Sequence, residues 1–401
     1  MNTRIFEPST IAGMRLPNRL VRSATHEGMA DADGTPTPAL EKLYEKLAKG
    51  GAGAIITGYA GVRQDGKSSL PGMLMIHEDR LVPAYRKLTD RVHDHGVPII
   101  LQIAHCGRQT RSKVTGKPTV APSPLKDFVF NEETPVELDE EGIDTVIESF
   151  SAAAARAEEA GFDGVQLHMA HGYLLSQFLS GYSNRRADRW GGSTENRFRI
   201  ASEILRRIRR TQGDFPVLAK INAYDSRPGG MRTGEAVRIA GLLETSGCDA
   251  VEISSGTVEE GLSIMRGPKK PVEALLAASF RFSGMPEVLK KLSAPFIGLL
   301  MQQPQPLRSY NLDAARQIRR AVSIPVVTVG GIHTMEEIGQ AVESGAADYV
   351  SMSRPFIIEP EIVNGLKNGK RKGSRCIMCN YCALMIETGP LRCYHGRLPA
   401  A

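Results

Sequence analysis

The sequence predicts an α/β protein, a (β/α)8 barrel of the TIM type carrying a short C-terminal cysteine-rich extension. Three observations carry that prediction. Eight short apolar runs recur along the chain, and segments with helical periodicity separate them. Beyond the eighth run, Cys376, Cys379, Cys382 and Cys393 crowd into the last 26 of 401 residues.

The runs are Arg19-Thr25, Gly53-Tyr59, Pro98-His105, Gly164-His168, Pro216-Asn222, Ala250-Ser255, Pro325-Gly330 and Asp348-Ser353. Each is too short for a helix. Several are rich in β-branched residues and several follow a Gly or Pro turn signal, as strands buried on both faces do. Between them, Gly142-Ala160 places Ile143, Val146, Ile147, Phe150, Ala153, Ala154 and Ala157 on one face and meets a stop at Gly161. Ser193 or Thr194 can cap the helix that runs on through FRIASEILRRIRR, with Glu195 favourable in its first turn. Eight such units fit one barrel with loop insertions. The surplus length lies between the sixth and seventh runs, at about 256–310, and predicts a lid or wall over the active-site face, or an oligomer contact. The expected organisation is a barrel over 1–370 followed by a cysteine-rich tail over 371–401.

Composition excludes several classes. Charged residues make up 23% and hydrophobic residues 41%, as in ordinary soluble domains. The net charge of +6 suits an anionic ligand, but the basic runs Arg206-Arg210 and Lys370-Arg375 are short and carry no interleaved aromatics. They read as solvated surfaces rather than a nucleic-acid footprint. No apolar run reaches membrane-spanning length, and the N-terminal MNTRIFEPST lacks an apolar signal core, so a cytoplasmic protein is expected. Cys106 and Cys248 stand alone, and in such a compartment the clustered four suggest a metal centre rather than disulfides. Gly50-Gly51-Ala52-Gly53 precedes a strand instead of following one, so it is a turn and not a dinucleotide fingerprint.

In a barrel, the residues at the carboxyl ends of the strands share one site. Collected in order they are Ala24, Thr25 and His26; Gly58 and Tyr59; Gln102 and His105; His168, His171 and Tyr173; Lys220; Gly330 and Gly331; Ser353 and Arg354. Glycines after the seventh strand beside a guanidinium after the eighth suit a phosphate, because backbone N–H groups approach closely and the cation matches its geometry. Two imidazoles and a phenol just past the fourth strand can converge on one small pocket.

The run HMAHGYLLSQFLS, followed by NRRADRWGGSTENR, resembles the signature of the old yellow enzyme family of FMN-dependent oxidoreductases. Pro17-Asn18-Arg19, Gln102-Ile103-Ala104-His105-Cys106-Gly107-Arg108, Ala121-Pro122-Ser123-Pro124 and Val329-Gly330-Gly331-Ile332 agree in order, so the resemblance covers about residues 4 to 365. It implies that Gln102 bonds the flavin pyrimidine edge and that Lys220 places positive charge near N1 and O2. Ala24, Thr25 and Gly58 would pass close to the ring, and Gly330, Gly331, Ser353 and Arg354 would hold the phosphate. His168 and His171 would bond a substrate oxygen, polarising a conjugated C=C bond whose β-carbon takes hydride from flavin N5. Tyr173 would then protonate the α-carbon. His26, Gly181, Trp190 and Ser353 depart from the common pattern of that family.

Cys376-x2-Cys379-x2-Cys382-x10-Cys393 is similar to the [4Fe-4S] segment of the trimethylamine dehydrogenase and 2,4-dienoyl-CoA reductase branch. Zinc, which more often takes two separated cysteine pairs, is the alternative. In that branch further domains bind nucleotide cofactors, so a cluster here would exchange electrons with a separate redox protein. Without one, NADH or NADPH would reduce FMN directly. The expected function is reduction of an activated C=C bond in a small unsaturated carbonyl or acyl compound by a homo-oligomer. Amine dehydrogenation or demethylation, and a non-catalytic electron-transfer subunit, are the alternatives.

Overall fold

The computed structural model describes residues 3–127, 129, 133–301 and 303–398. All eight expected runs form strands: β1 (Leu20–Arg22), β2 (Ala54–Ile56), β3 (Ile99–Ala104), β4 (Gly164–Met169), β5 (Val217–Asn222), β6 (Ala250–Ser254), β7 (Val326–Val329) and β8 (Tyr349–Met352). Each pairs in parallel with its neighbour, and β8 returns to β1, closing the barrel.

The closed ring divides the interior into two layers. At the amino end, Val21, Ala54, Ile56, Ile100, Leu218, Ala250, Val327 and Tyr349 meet Ile11, Met14 and Leu16 of an N-terminal hairpin in one apolar cluster. That hairpin, Ser9–Ile11 against Met14–Leu16, plugs the bottom. Toward the carboxyl end the inward positions turn polar. Register sets Gln102 beside Gln166 and Lys220 beside Glu252, all fully buried. The large outer core, including Ile55, Leu101, Val165, Phe150 and Ile204, lies between strands and helices.

The surrounding helices are α1 (Pro38–Lys49), α2 (Val82–His93), α3 (Glu140–Glu159), α4 (Thr194–Gln212), α5 (Thr233–Thr245), α6 (Leu312–Ala321), α7 (Met335–Val342) and α8 (Ile362–Lys367). Helix α3 begins two residues before the expected Gly142, because Asp139 Oδ1 accepts from Gly142 N at 2.8 Å and caps it. Ser193 caps α4 by accepting from Asn196 N at 3.3 Å, as expected.

The insertion after β6 holds two short helices, Val272–Ala278 and Glu287–Leu300, and its residues wall the barrel mouth. The outer helix buries none of its residues, and Val288, Leu292, Phe296 and Leu299 are exposed along one stripe. After α8 the chain is anchored by Glu359, a fully buried carboxylate that accepts from Arg371, Ser374 and Arg375. The tail then folds back over the mouth, where Met385 and Tyr394 pack against Ala278 of the insertion and Leu391 N donates to Glu27 O at 2.8 Å. Among the described residues, no helix is long and apolar enough to cross a membrane.

Candidate active site at the barrel mouth

A cavity of about 900 Å³ opens at the carboxyl end of the strands. Ala24, Thr25, His26, Tyr59, Gln102, His168, His171, Tyr173, Lys220, Gly330, Gly331, Ser353 and Arg354 all line it, so most of the strand-end candidates reach one cavity.

Gly58 is different. It is not among the lining residues, and an added Cβ would fall 2.0 Å from Glu27 Oε2. Its backbone N–H instead donates to Glu27 Oε1 at 3.1 Å, a buried carboxylate that also takes bonds from Arg22 and Tyr44 at 2.6 Å. The glycine is there to admit that carboxylate behind the wall. His105 likewise turns away, with its Nδ1 accepting from Gly107 N at 3.0 Å and Asp65 3.4 Å from its Nε2.

The cavity floor is one polar network. Gln102 Nε2 donates to Gln166 Oε1 at 2.7 Å, and Gln166 Nε2 donates to Glu252 Oε2 at 2.9 Å. Glu252 Oε1 accepts from Ser23 at 2.6 Å and from Ser351 at 2.5 Å, while Lys220 Nζ lies 3.2 Å from Oε2. Burial pushes the Glu252 carboxyl upward, but Lys220 and the surrounding donors outweigh it and hold the group below the ordinary range. Sequence reasoning missed Gln166, Glu252, Ser23 and Ser351. The available signal was polar residues at alternate positions in otherwise apolar strands.

On the next level, the rings of His168 and His171 sit 5.2 Å apart edge to face, and Tyr173 lies 4.7 Å from His168. Tyr59 lies 5.2 Å from Tyr173 and stacks on His26 at 5.0 Å. Burial, then the neighbouring His171 and Lys220, drives the His168 pKa well below its ordinary value. Burial and Lys220 lower that of His171 to about 3. Both imidazoles are therefore neutral at pH 7. His168 Nδ1 accepts from Ala170 N at 3.4 Å, which leaves the proton on Nε2. His171 Nε2 meets Ser254 Oγ at 2.8 Å. The His171 backbone is left-handed (φ 62°), held by its N–H on Asn222 Oδ1 at 3.2 Å and its carbonyl on Val258 N at 3.1 Å. Asn222 and Ser254 end β5 and β6, so the strand-end rule could have found both. Tyr173 is pushed well above 10 by burial and by Tyr59, and stays protonated.

At the far end, Gly330 (φ 131°) and Gly331 (φ 70°) allow a close turn, and an added Cβ would lie 2.5 Å from the Tyr310 ring or from Leu307 O. Arg354 Nη1 donates to Arg266 O at 2.8 Å and to Asn380 Oδ1 at 2.6 Å. His333 lines this end with a buried Nδ1 that has no hydrogen-bond partner among the described residues. The arrangement suits an anion.

The four tail cysteines line one small cavity of about 30 Å³ that shares Arg354, Asn380 and Cys382 with the large one. Among the described residues, however, no three His, Cys, Asp or Glu side chains are grouped as ligands of a metal ion. Burial pushes the Cys382 thiol up to about 12 and raises that of Cys376, so both are protonated here.

Fold and cavity together define a (β/α)8 barrel of the old yellow enzyme type. The NADH:flavin oxidoreductase / NADH oxidase family profile matches residues 4–260, more than half of the chain, and the chain belongs to that family. It is 32% identical over 393 residues to a metal reductase of Desulforamulus reducens, covering 97% of this chain and 53% of that protein. To a 4,4'-dithiodibutanoate disulfide reductase of Rhodococcus erythropolis it is 31% identical over 393 residues, covering 96% and 93%. Its fold is similar to that of an old yellow enzyme homologue from Zymomonas mobilis, with a TM-score of 0.73, 24% identity and 99% of each chain covered. The chain thus spans about half the length of the first of these relatives.

Proposed function

We propose that this chain is an FMN-dependent NAD(P)H oxidoreductase that reduces the activated C=C bond of an unsaturated carbonyl or acyl compound. The observation that carries the reading is the convergence of two neutral imidazoles and a protonated phenol on one cavity wall, above a charge-balanced floor.

FMN fits the lining. Gly330, Gly331 and Arg354, with the unpartnered His333 Nδ1, would take its phosphate, while Gln102 and Lys220 would meet the polar edge of its ring. Ala24, Thr25 and Ser353 line the same cavity, where the first two would pass beside the ring and Ser353 would join Arg354 at the phosphate. When bound, FMN supplies hydride chemistry, received from NADH or NADPH and passed to the substrate.

The chain's own residues supply the rest. His168 Nε2–H, with His171 beside it, donates to the substrate carbonyl oxygen and stabilises the negative charge that gathers there. Neutral imidazole N–H groups suffice for this work, because a hydrogen-bond donor polarises the carbonyl without carrying a buried charge. Tyr173 holds its proton at Oη and delivers it to the α-carbon as general acid. His171 keeps its orientation through Asn222 and Ser254. The insertion and tail supply part of the cavity wall.

The sequence spacing of the four tail cysteines is the support for a metal centre, a [4Fe-4S] cluster ahead of zinc, although among the described residues no three of these thiols are grouped as ligands. Cys376, Cys379, Cys382 and Cys393 would then lose their protons on binding it. A separate redox protein is the partner such a centre implies.

An anaerobic visible spectrum with flavin, iron and zinc counted tests the cofactors, and turnover of a cyclic enone against a methylated amine tests the reaction. FMN near one per chain with enone reduction supports the proposal. Colourless protein that takes up no flavin defeats it, and turnover of the amine alone replaces it with amine oxidation.

A further inference from the structure

We infer that Asn380 is a positioning residue through which the cysteine loop sets the grip of Arg354 on the flavin phosphate. The inference rests on the proposed placing of that phosphate.

Asn380 lies between Cys379 and Cys382 in a left-handed conformation (φ 63°) and is 1% exposed. Both ends of its amide are used. Oδ1 accepts from Arg354 Nη1 at 2.6 Å, and Nδ2 donates to Met265 O at 2.7 Å. The same Arg354 nitrogen also donates to Arg266 O at 2.8 Å. One side chain therefore ties the loop, the insertion segment and the guanidinium together. The loop is pressed closely onto that segment, since a Cβ on Gly267 would sit 2.0 Å from Met378 O. Arg354 and Asn380 line both the cysteine-lined cavity and the large one.

A guanidinium positions a phosphate through a rigid fork, so fixing Nη1 fixes where the remaining N–H groups point. Whatever orders the loop must then strengthen phosphate binding, and phosphate binding must order the loop to the same degree. Riboflavin carries the same ring without the phosphate and so should feel none of this.

Asn380→Gly removes the amide while keeping a residue that tolerates the left-handed backbone. The measurements are Kd for FMN and for riboflavin in flavin-stripped protein, and the rate at which N-ethylmaleimide labels Cys379, mapped by mass spectrometry. Asn380→Gly is expected to weaken FMN at least about fivefold, the lower end of ordinary coupling, and leave riboflavin almost unchanged. In the native chain FMN, but not riboflavin, should slow labelling of Cys379, and Asn380→Gly should abolish that protection. An equal loss for both flavins, or protection that survives Asn380→Gly, overturns the inference. Arg354→Lys separates the two levels. If it leaves the FMN-to-riboflavin ratio unchanged, the phosphate placement itself is wrong. If it shifts the ratio and Asn380→Gly does not, only the role of Asn380 fails.

Discussion

Lys220→Met should damage this protein in a way that depends on pH with an unusual sign. Lys220 and Glu252 are 2% and 1% exposed, and Nζ stands 3.2 Å from Oε2. Removing one member of a buried pair typically costs about 3–5 kcal/mol, because the other charge is left uncompensated. In the native chain the Glu252 carboxyl is held below its ordinary range, so its contribution is present above the unfolded value of about 4.3 and lost as pH falls through the lower folded value. Without Lys220, burial dominates and the folded value moves above the unfolded one. The variant then gains relative stability as pH falls, because the folded state takes up the proton first. Urea midpoints of native and Lys220→Met protein at pH 7.5 and pH 5 should show the gap shrinking in acid. Lys220→Met with Glu252→Gln should recover much of the loss at pH 7.5, since the amide oxygen still accepts from Ser23 and Ser351 and its NH2 can donate to Gln166 once the Gln166 and Gln102 amides turn over. An equal gap at both pH values with no recovery in the double variant would refute the reasoning.

Tyr173→Phe should lower enone turnover by about 100- to 10,000-fold, the usual worth of a general acid, while flavin reduction by NAD(P)H in stopped flow stays near native. His171 has a folded pKa of about 3, so below about pH 6.5 the unfolded chain binds a proton that the folded one refuses. Stability should therefore fall with pH across that window, and His171→Gln should flatten the fall in urea titrations. Gly331→Ala forces a side chain at φ 70° against Leu307 O, a strain of about 1–3 kcal/mol, and should lower the FMN retained per chain on gel filtration. Glu359→Gln weakens the anchor of Arg371 and Arg375, so trypsin should cut after these residues sooner while the barrel melts nearly as before.

The barrel was legible because strands buried on both faces leave a plain mark, short apolar runs between amphipathic segments. The candidates from the strand ends came together because closure gathers strand ends whatever their spacing in the chain, whereas the share of the wall given by the insertion and tail left no such mark. Glu252 escaped notice because a carboxylate inside AVEIS looks like an interruption of a core strand, and only register shows Lys220 beside it. The family resemblance implies a place at the ring for Gly58, whereas the structure gives a glycine there another reason, Glu27 behind it, 31 residues away in the chain. The motif NRRADRWGG proves to be scaffold. Asn184 Nδ2 donates to Phe178 O and Trp190 O at 2.8 and 2.7 Å, and Trp190 Nε1 donates to Glu140 at 2.7 Å. Nothing in the tail's spacing foretold that Asn380 would be spent on Arg354.

The floor and the wall of the cavity are electrostatically one device. Burial is the first cause of the low His168 and His171 pKa values, but Lys220 contributes to both. Glu252 neutralises that lysine from below, while the imidazoles above it stay unprotonated. Under the proposed function, a cation at this position would favour an anionic reduced flavin without inviting a buried charge imbalance, and it adds to burial in keeping the two imidazoles neutral. Lys220→Met should accordingly raise both imidazole pKa values as well as unsettling Glu252. Its residual enone activity should show a steeper acid limb than native, whereas Lys220→Arg, which keeps the charge, should not. A Lys220→Met profile parallel to native would mean that burial alone keeps the imidazoles neutral and that the lysine serves only the floor.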